Sequence, residues 1–336
     1  MKKIVTLFLF LSSYALVANE SRIYSKQRDS SWFPLTYVIT GSFDVIQNPY
    51  WFNQKNASAK YEEVWKRIRD PHHNIKRDGG YDQFFRDEFF SSRVIPNIAL
   101  HFMGGAHDTL WLTEYFRDKN YPLPKAFAFL ITYLAHIGNE AFETSSDQIS
   151  SHDHIADIYF FDLAAFYAAS NPAVMNFLLD DLQMKAWHFH PMYDVKSDDI
   201  FNAGLNYVIR PKILQIKATQ LRPMVFFGMQ NMLGLSYDYD KSQTFSMAMG
   251  LSLTDPLRQK GRFVTALFHE NENEIEAALL LNGSENMRIR LNLYENLFYR
   301  IVDRAWKFNL VIGQKKSDDI AIGLSWNMPL GIGFID

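Results

Sequence analysis

The stretch FSMAMGLSLT, residues 245–254, alternates without a break. Phe245, Met247, Met249, Leu251 and Leu253 fall on one side of an extended chain. Ser246, Ala248, Gly250, Ser252 and Thr254 fall on the other. Successive side chains of a strand point to opposite faces, so only an extended backbone keeps these two sets apart. The pattern returns where Met287, Ile289, Leu291 and Leu293 oppose Arg288, Arg290 and Asn292. It returns again where Trp306, Phe308, Leu310 and Ile312 oppose Lys307, Asn309 and Gly313, and where Ile320, Ile322, Leu324 and Trp326 oppose Ala321, Gly323, Ser325 and Asn327. Asp255-Pro256, Asn282-Gly283 and the polar run 314–319 supply turns between them. Residues 200–336 are therefore expected to form an antiparallel β-meander of about eight strands.

The non-apolar face decides what kind of sheet this is. A sheet that turns one face to water fills that face with long charged residues, whereas here it is often Gly, Ala, Ser and Asn. Small and polar side chains fit the interior of a narrow barrel whose apolar side meets lipid. Trp306, Trp326, Tyr237 and Tyr239 lie near strand ends, and the chain carries 28 Phe, 17 Tyr and 7 Trp, as expected where protein meets a membrane interface. The expectation is a small outer-membrane-type barrel, with a soluble periplasmic sheet as the alternative. Phe334, third from the end, departs from the aromatic final residue frequent in such barrels.

The N-terminal run MKKIVTLFLFLSSYALVA has two lysines and then an apolar stretch too short to span a bilayer comfortably, and so reads as a secretory leader over residues 1–18. An uncleaved anchor is the alternative. Losing Lys2 and Lys3 with the leader would take the formal charge from −3 to −5. No basic stripe is present, which argues against nucleic acid as a partner. The absence of cysteine excludes disulfides and thiolate metal sites.

Between these ends lie a polar segment, residues 19–91, and an apolar helical region, residues 92–190. The helical region predicts three long helices, at about 94–118, 123–144 and 154–169. Into its most apolar part is set NEAFETSSDQISSHDHIADIYFFD, residues 139–162, with four aspartates, two glutamates and two histidines. His136, Glu140 and Glu143 share one stripe of the second helix, while on the third Asp153 lies one turn before Asp157 and His154 shares a stripe with Asp157. On the first, Asn97, His101 and Asp108 share a face, and His107 and Glu114 another. Burying ionised carboxylates without partners is costly, and Lys125 is the one Lys or Arg between Leu123 and Gln183. Compensation must come from histidines, metal, water or arginines outside the stretch. Glu140, Glu143, His154 and Asp157 are thus candidate ligands of a divalent metal cation, and Glu140, Asp157 and His101 candidate proton-transfer residues. The competing readings are a structural hydrogen-bond network and solvated loop ends around residues 145–153. His188-x-His190 is a weaker metal motif.

Residues 95–165 resemble bacterial envelope proteins distantly similar to the VanZ-like families. The resemblance is carried by Asn139-Glu140, Glu143, Ser151, Asp153, Asp157 and Asp162, with NIALHFMGG (97–105) and Glu114 upstream. Phe161-Asp162 departs from the glycine-rich continuation of that pattern. The resemblance implies a shared helical motif and no reaction.

The expectation is thus an α+β envelope protein, an apolar helical region followed by a β-barrel, of structural or small-ligand/cation-binding type, located in the outer membrane or the periplasm, with membrane lipid as a partner. The alternatives are an envelope hydrolase acting on lipid or cell-wall material, and a soluble periplasmic binding module.

Overall fold

A computed structural model describes residues 22–24, 33–44, 56–91, 93–143, 150–228, 230–255, 260–282, 287–302, 307–315 and 317–336. The leader expected at 1–18 and the loop 144–149, with Asp147, lie outside these residues, as do Trp306 and the side chain of Glu143.

The architecture is α+β: helices first, then one large, mostly antiparallel sheet. Helix α1 is Phe33–Phe43, α2 Ala57–Ile68, α3 Pro71–Arg77 and α4 Gly80–Phe89. Three longer rods follow. Rod α5 runs through Val94–Pro96, a π-helical segment Asn97–Gly104 and Gly105–Asp118. Helix α6 is Pro124–Glu143. Rod α7 runs through Ser151–Ala156, a π segment Asp157–Phe161 and Asp162–Ser170. A shorter α8 combines Pro172–Asn176 with a π turn, Phe177–Asp181. Local chemistry sets several of these starts. The Ser150 side chain accepts from the His152 amide at the head of α7, and the Asn171 carbonyl oxygen caps α8 before Pro172. Rods α5, α6 and α7 pack on one another around Ala106, Leu112, Ala128, Ala135 and Ala165. Among the described residues no helix is long and apolar enough to cross a membrane.

Among the described residues the sheet has thirteen strands rather than about eight, and it begins before residue 200. They are β1 Lys185–Ala186, β2 Met192–Asp194, β3 Asp199–Phe201, β4 Tyr207–Ile209, β5 Leu221–Phe227, β6 Gln230–Asp238, β7 Gln243–Asp255, β8 Lys260–Asn271, β9 Glu274–Leu281, β10 Met287–Leu293, β11 Phe308–Lys315, β12 Ile320–Trp326 and β13 Gly331–Ile335. A short helix, α9 Glu295–Ile301, sits between β10 and β11. The strand order is open, β1-β4-β5 and on in sequence through β13, then β2-β3. Every neighbouring pair is antiparallel except β13 with β2.

The alternation read in the sequence has its physical counterpart. Along β12, Ala321, Gly323 and Ser325 are buried, while Ile320, Ile322, Leu324 and Trp326 are 55, 49, 47 and 51 % exposed. The same holds along β7, where Ser246, Ala248 and Ser252 face inward and Phe245, Met247, Met249 and Leu251 face out. Strand β10 departs from the expected faces. A register shift between Met287 and Ile289 turns Met287 inward, onto the same side as Arg290 and Asn292.

The covered face is filled from the hairpin. Trp187 and Phe189 pack with Phe226, Phe268, Val264 and Leu280. Among them lies a buried ion pair: Arg210 donates to Glu270 at 3.1 Å through one nitrogen and more closely through the other, and its Nε donates to Ser236 at 2.8 Å.

Candidate metal centre and junction cavity

Rods α5, α6 and α7 aim three histidines and three carboxylates at one buried point. Rod α5 supplies His101, helix α6 supplies His136 and Glu140, and α7 supplies His154, Asp157 and Asp162. All are at most 8 % exposed. The π turns explain how α7 does this. The Asp162 amide bonds to the Asp157 carbonyl, five residues back. A wider turn of that kind brings residues i and i+5 onto one face, which an α-helix does not. His101 lies in the π segment of α5, closed by the Gly105 amide on the Leu100 carbonyl. The close approach of the rods needs Gly105, where a Cβ would lie 3.1 Å from Ala165 and 3.3 Å from the His136 ring.

Two kinds of distance occur in the cluster. His101 Nδ1 and His136 Nδ1 both hydrogen-bond Oδ1 of Asp162, at 3.0 and 2.6 Å. His101 Nε2 faces Glu140 Oε1 and Asp157 Oδ2, each at 3.6 Å. His154 Nδ1 is in short contact with Glu140 Oε2, and its Nε2 meets the Arg67 guanidinium at 3.1 Å. Arginine always donates, so His154 Nε2 accepts and Nδ1 carries the proton given to Glu140. Two sets of three, His101–His136–Asp162 and His101–Glu140–Asp157, bring one ligand atom each within 4.8 Å of one another and can hold a metal ion.

The electrostatics follow from burial and pairing. Burial pulls the His101 imidazole down, but the hydrogen bond and charge of Asp162, with Glu140 and Asp153, carry it above its ordinary value. Burial pushes Asp162 up, and His136 and His101 more than offset this, so its carboxyl sits below the usual range. Oδ2 of Asp162 is buried with no hydrogen-bond partner among the described residues.

Sequence spacing joins residues that the fold separates. Asp153, four positions from Asp157, turns instead to Arg93 at 3.6 Å. There it joins Glu88, which accepts from Arg93 at 2.9 Å and is pushed up to about 8 by burial and by Asp153. His152 is buried against Phe84, with Nε2 3.3 Å from the Ile75 carbonyl.

A second polar group lies where the helices meet the sheet. Asp108, fully buried on α5, is bound by His107 Nδ1 at 2.8 Å and by the Tyr207 hydroxyl at 2.6 Å, with His188 Nε2 at 3.4 Å. Burial pushes Asp108 up, but His188 and His107 hold it well below the usual carboxylate range. His107 and His188 line a cavity of about 410 Å³ bounded by Tyr37 and Trp111 on the helical side and by Asn309 and Ser325 on the strands. Sequence periodicity put His101 and Asp108 on one face of the first helix. They serve different clusters because the π segment between them shifts the helical phase. Tyr207 and Arg67 gave no signal in the sequence, since each reaches its cluster from a distant element.

Comparison of the chain with protein-family models, with curated proteins and with solved structures finds no match.

Proposed function

We propose that the chain is an outer-membrane β-barrel protein of the bacterial envelope whose helical domain binds a divalent cation in the His/carboxylate cluster. The observation that carries the membrane part is the inversion on the sheet. Small and polar side chains are covered and large apolar ones exposed along β7, β12 and β13, and β6 exposes Leu233, Leu235 and Tyr237, whereas β8 and β9 also bury Val264, Phe268 and Leu280. An apolar surface of this extent marks contact with something apolar, and in a barrel that is lipid.

Closure of the sheet is part of this reading. β1 and β2 lie on one run, residues 185–194, and β3 and β4 on another, residues 199–209. The two runs pair in one unbroken register: Lys185 with Val208, Ala186 with Tyr207, Phe189 with Gly204, Met192 with Phe201 and Asp194 with Asp199. One run is therefore hydrogen-bonded to β13 through Met192–Asp194, and its partner to β5 through Tyr207–Ile209. A single hairpin thus reaches both ends of the meander, and this supports the reading of a closed barrel.

The cation part rests on the buried convergence of His101, Glu140 and Asp157 and on the ligand chemistry of that set. The test is fractionation of cells expressing the full chain, followed by gel mobility with and without boiling and elemental analysis of the detergent-purified protein. Outer-membrane recovery, a heat-dependent band shift and near-stoichiometric metal are expected. Recovery in the soluble periplasm would overturn the barrel reading, and metal-free protein that takes up no added ion would overturn the cation reading.

The junction cavity favours a second reading, acid–base chemistry on a small ligand or on lipid-derived material. His107 lines it with Nδ1 held by the buried Asp108 carboxylate, an arrangement that fixes the ring and its tautomer with Nε2 as the acceptor. Hydrolysis of a small neutral ester such as p-nitrophenyl butyrate, lost in His107→Gln and retained in His101→Gln, would support it. No turnover by the unmodified protein would dismiss it for that substrate class.

A further inference from the structure

We infer that the helical cluster is a single-ion centre with a fixed division of labour. His101 Nε2, Oε1 of Glu140 and an oxygen of Asp157 bind one first-row divalent cation, and Asp162 and His154 orient those ligands from outside. This inference rests on the cation-binding reading above and assigns its ligands.

The distances separate the two roles. Two ligand atoms about 2.0–2.2 Å from a tetrahedral ion lie about 3.4 Å apart. His101 Nε2 lies 3.6 Å from both Glu140 Oε1 and Asp157 Oδ2, beyond a good hydrogen bond and close to a ligand–ligand edge. The contacts of the other set, at 3.0 and 2.6 Å, are hydrogen bonds onto one oxygen of Asp162. An ion shared by His101, His136 and Asp162 would have to break both of them.

The hydrogen-bond directions agree. A ligating histidine donates its other ring N–H to a carboxylate, which fixes the ring and its tautomer. His101 has that arrangement: Nδ1 meets Asp162, and Nε2 is turned toward Glu140 and Asp157. Ligating carboxylates are themselves held. Glu140 is held through Oε2 by His154, which is held in turn by Arg67, and this leaves Oε1 on the His101 side. His154, a ligand by its spacing in the sequence, is thus an orienting residue in the fold, and His101 is the nitrogen ligand.

The donor set selects the ion. One imidazole nitrogen, two carboxylate oxygens and no thiolate suit zinc, manganese or ferrous iron. Calcium takes six to eight oxygen ligands. The charge balance agrees as well, because Glu140, Asp157 and Asp162 are all buried within one cluster, and ionised groups taken out of water need compensating positive charge.

The experiment uses the detergent-purified full chain, stripped with a chelator and titrated separately with zinc(II) and manganese(II). One equivalent of at least one of these ions is expected to bind. Glu140→Gln and Asp157→Asn keep side-chain shape and are expected to lose stoichiometric binding. Asp162→Asn and His154→Gln are expected to keep one equivalent, bound about 10–100-fold more weakly. Binding abolished by His136→Gln and Asp162→Asn but kept in Glu140→Gln and Asp157→Asn would overturn the ligand assignment while leaving cation binding intact. Uptake of neither ion by the unmodified protein would overturn both. X-ray absorption of the bound form of the unmodified chain guards against variants that fail to fold. One imidazole bound to the ion supports the assignment, and two overturn it.

Discussion

Tyr207 of β4 donates its hydroxyl proton to Oδ2 of Asp108 on α5 at 2.6 Å, and this bond ties the sheet to the helices. The carboxylate is fully buried, so each of its donors matters. The Asn206 amide donates to Nδ1 of His188, which fixes that ring with its proton on Nε2, 3.4 Å from the same oxygen. Hydrogen bonds to charged groups contribute about 1.5–3 kcal/mol each. Tyr207→Phe is therefore expected to lower unfolding stability by about 2 kcal/mol, with an unchanged denaturant slope. Gly104→Ala should act at the same place, because its Cβ would lie 2.7 Å from the Tyr207 ring. Equilibrium unfolding in mild detergent measures both, and a Tyr207→Phe change within 0.5 kcal/mol, roughly the scale of a neutral surface substitution, would mean the bond does not secure the junction.

Asp44 gives a pH prediction. It follows α1, is buried, and accepts from the Leu205 amide at 3.2 Å. Burial pushes its carboxyl up to about 8, against smaller lowering effects from that amide and from Arg290. The folded protein therefore holds a proton there that the unfolded chain releases near 3.8. Between those values the native state binds more protons than the unfolded state, so stability falls as pH rises. The Asp44 contribution is fully present below about pH 4, is lost progressively up to about pH 8, and is flat above. Asp44→Asn should remove that slope and leave the variant more stable than the parent at pH 8 by a few kcal/mol, since each pH unit between the two values is worth on the order of 1.4 kcal/mol. Parallel stability–pH curves for the two proteins would show that Asp44 is not protonated in the fold.

Much of this was legible in the sequence, and the failures have physical causes. Strict alternation at 245–254 and 320–327 marked strands, because period two leaves no helical solution. The hairpin between Lys185 and Val208 was missed. Its inward residues, Trp187 and Phe189, are set among His188, His190 and Pro191, so the run does not alternate cleanly. The cluster was located correctly as a region, while its geometry was hidden. Asp162 joins Asp157 through a π turn that α-helical spacing does not anticipate, and Asp153, predicted beside Asp157, pairs with Arg93 instead. His154 had the spacing of a ligand, but its tautomer is set by Arg67, 87 residues upstream.

The Arg210–Glu270 pair inside the sheet separates the cost of breaking an ion pair from the net contribution of having one. Both side chains are buried, and the guanidinium also lies 5.0 Å from the Trp187 ring. Arg210→Met leaves Glu270 buried and short of its main donor, and is expected to cost about 3–5 kcal/mol. Adding Glu270→Leu removes the stranded charge and should recover most of that loss, since buried pairs are often replaceable by apolar residues. Unfolding curves of the two single variants and the double variant form the cycle. Additive losses would show that the two charges are not coupled.

The lipid-facing reading of the sheet is tested by charge at a chosen depth. Ile322 lies next to the middle of β12 and points outward between Ile320 and Leu324. Ile213 is 91 % exposed but lies in a short turn off the strands. In water, an arginine at either position would be a surface substitution, within about 0.5 kcal/mol of neutral. In a bilayer, arginine on the lipid face of a barrel near the midplane costs about 2–4 kcal/mol, while the turn position is spared. Folding of Ile322→Arg and Ile213→Arg into lipid vesicles, read by the fraction that resists proteolysis, is expected to fall for the first and hold for the second. Equal folding yields, with both proteins stable in lipid-free buffer, would mean that the exposed apolar face of β12 does not meet lipid.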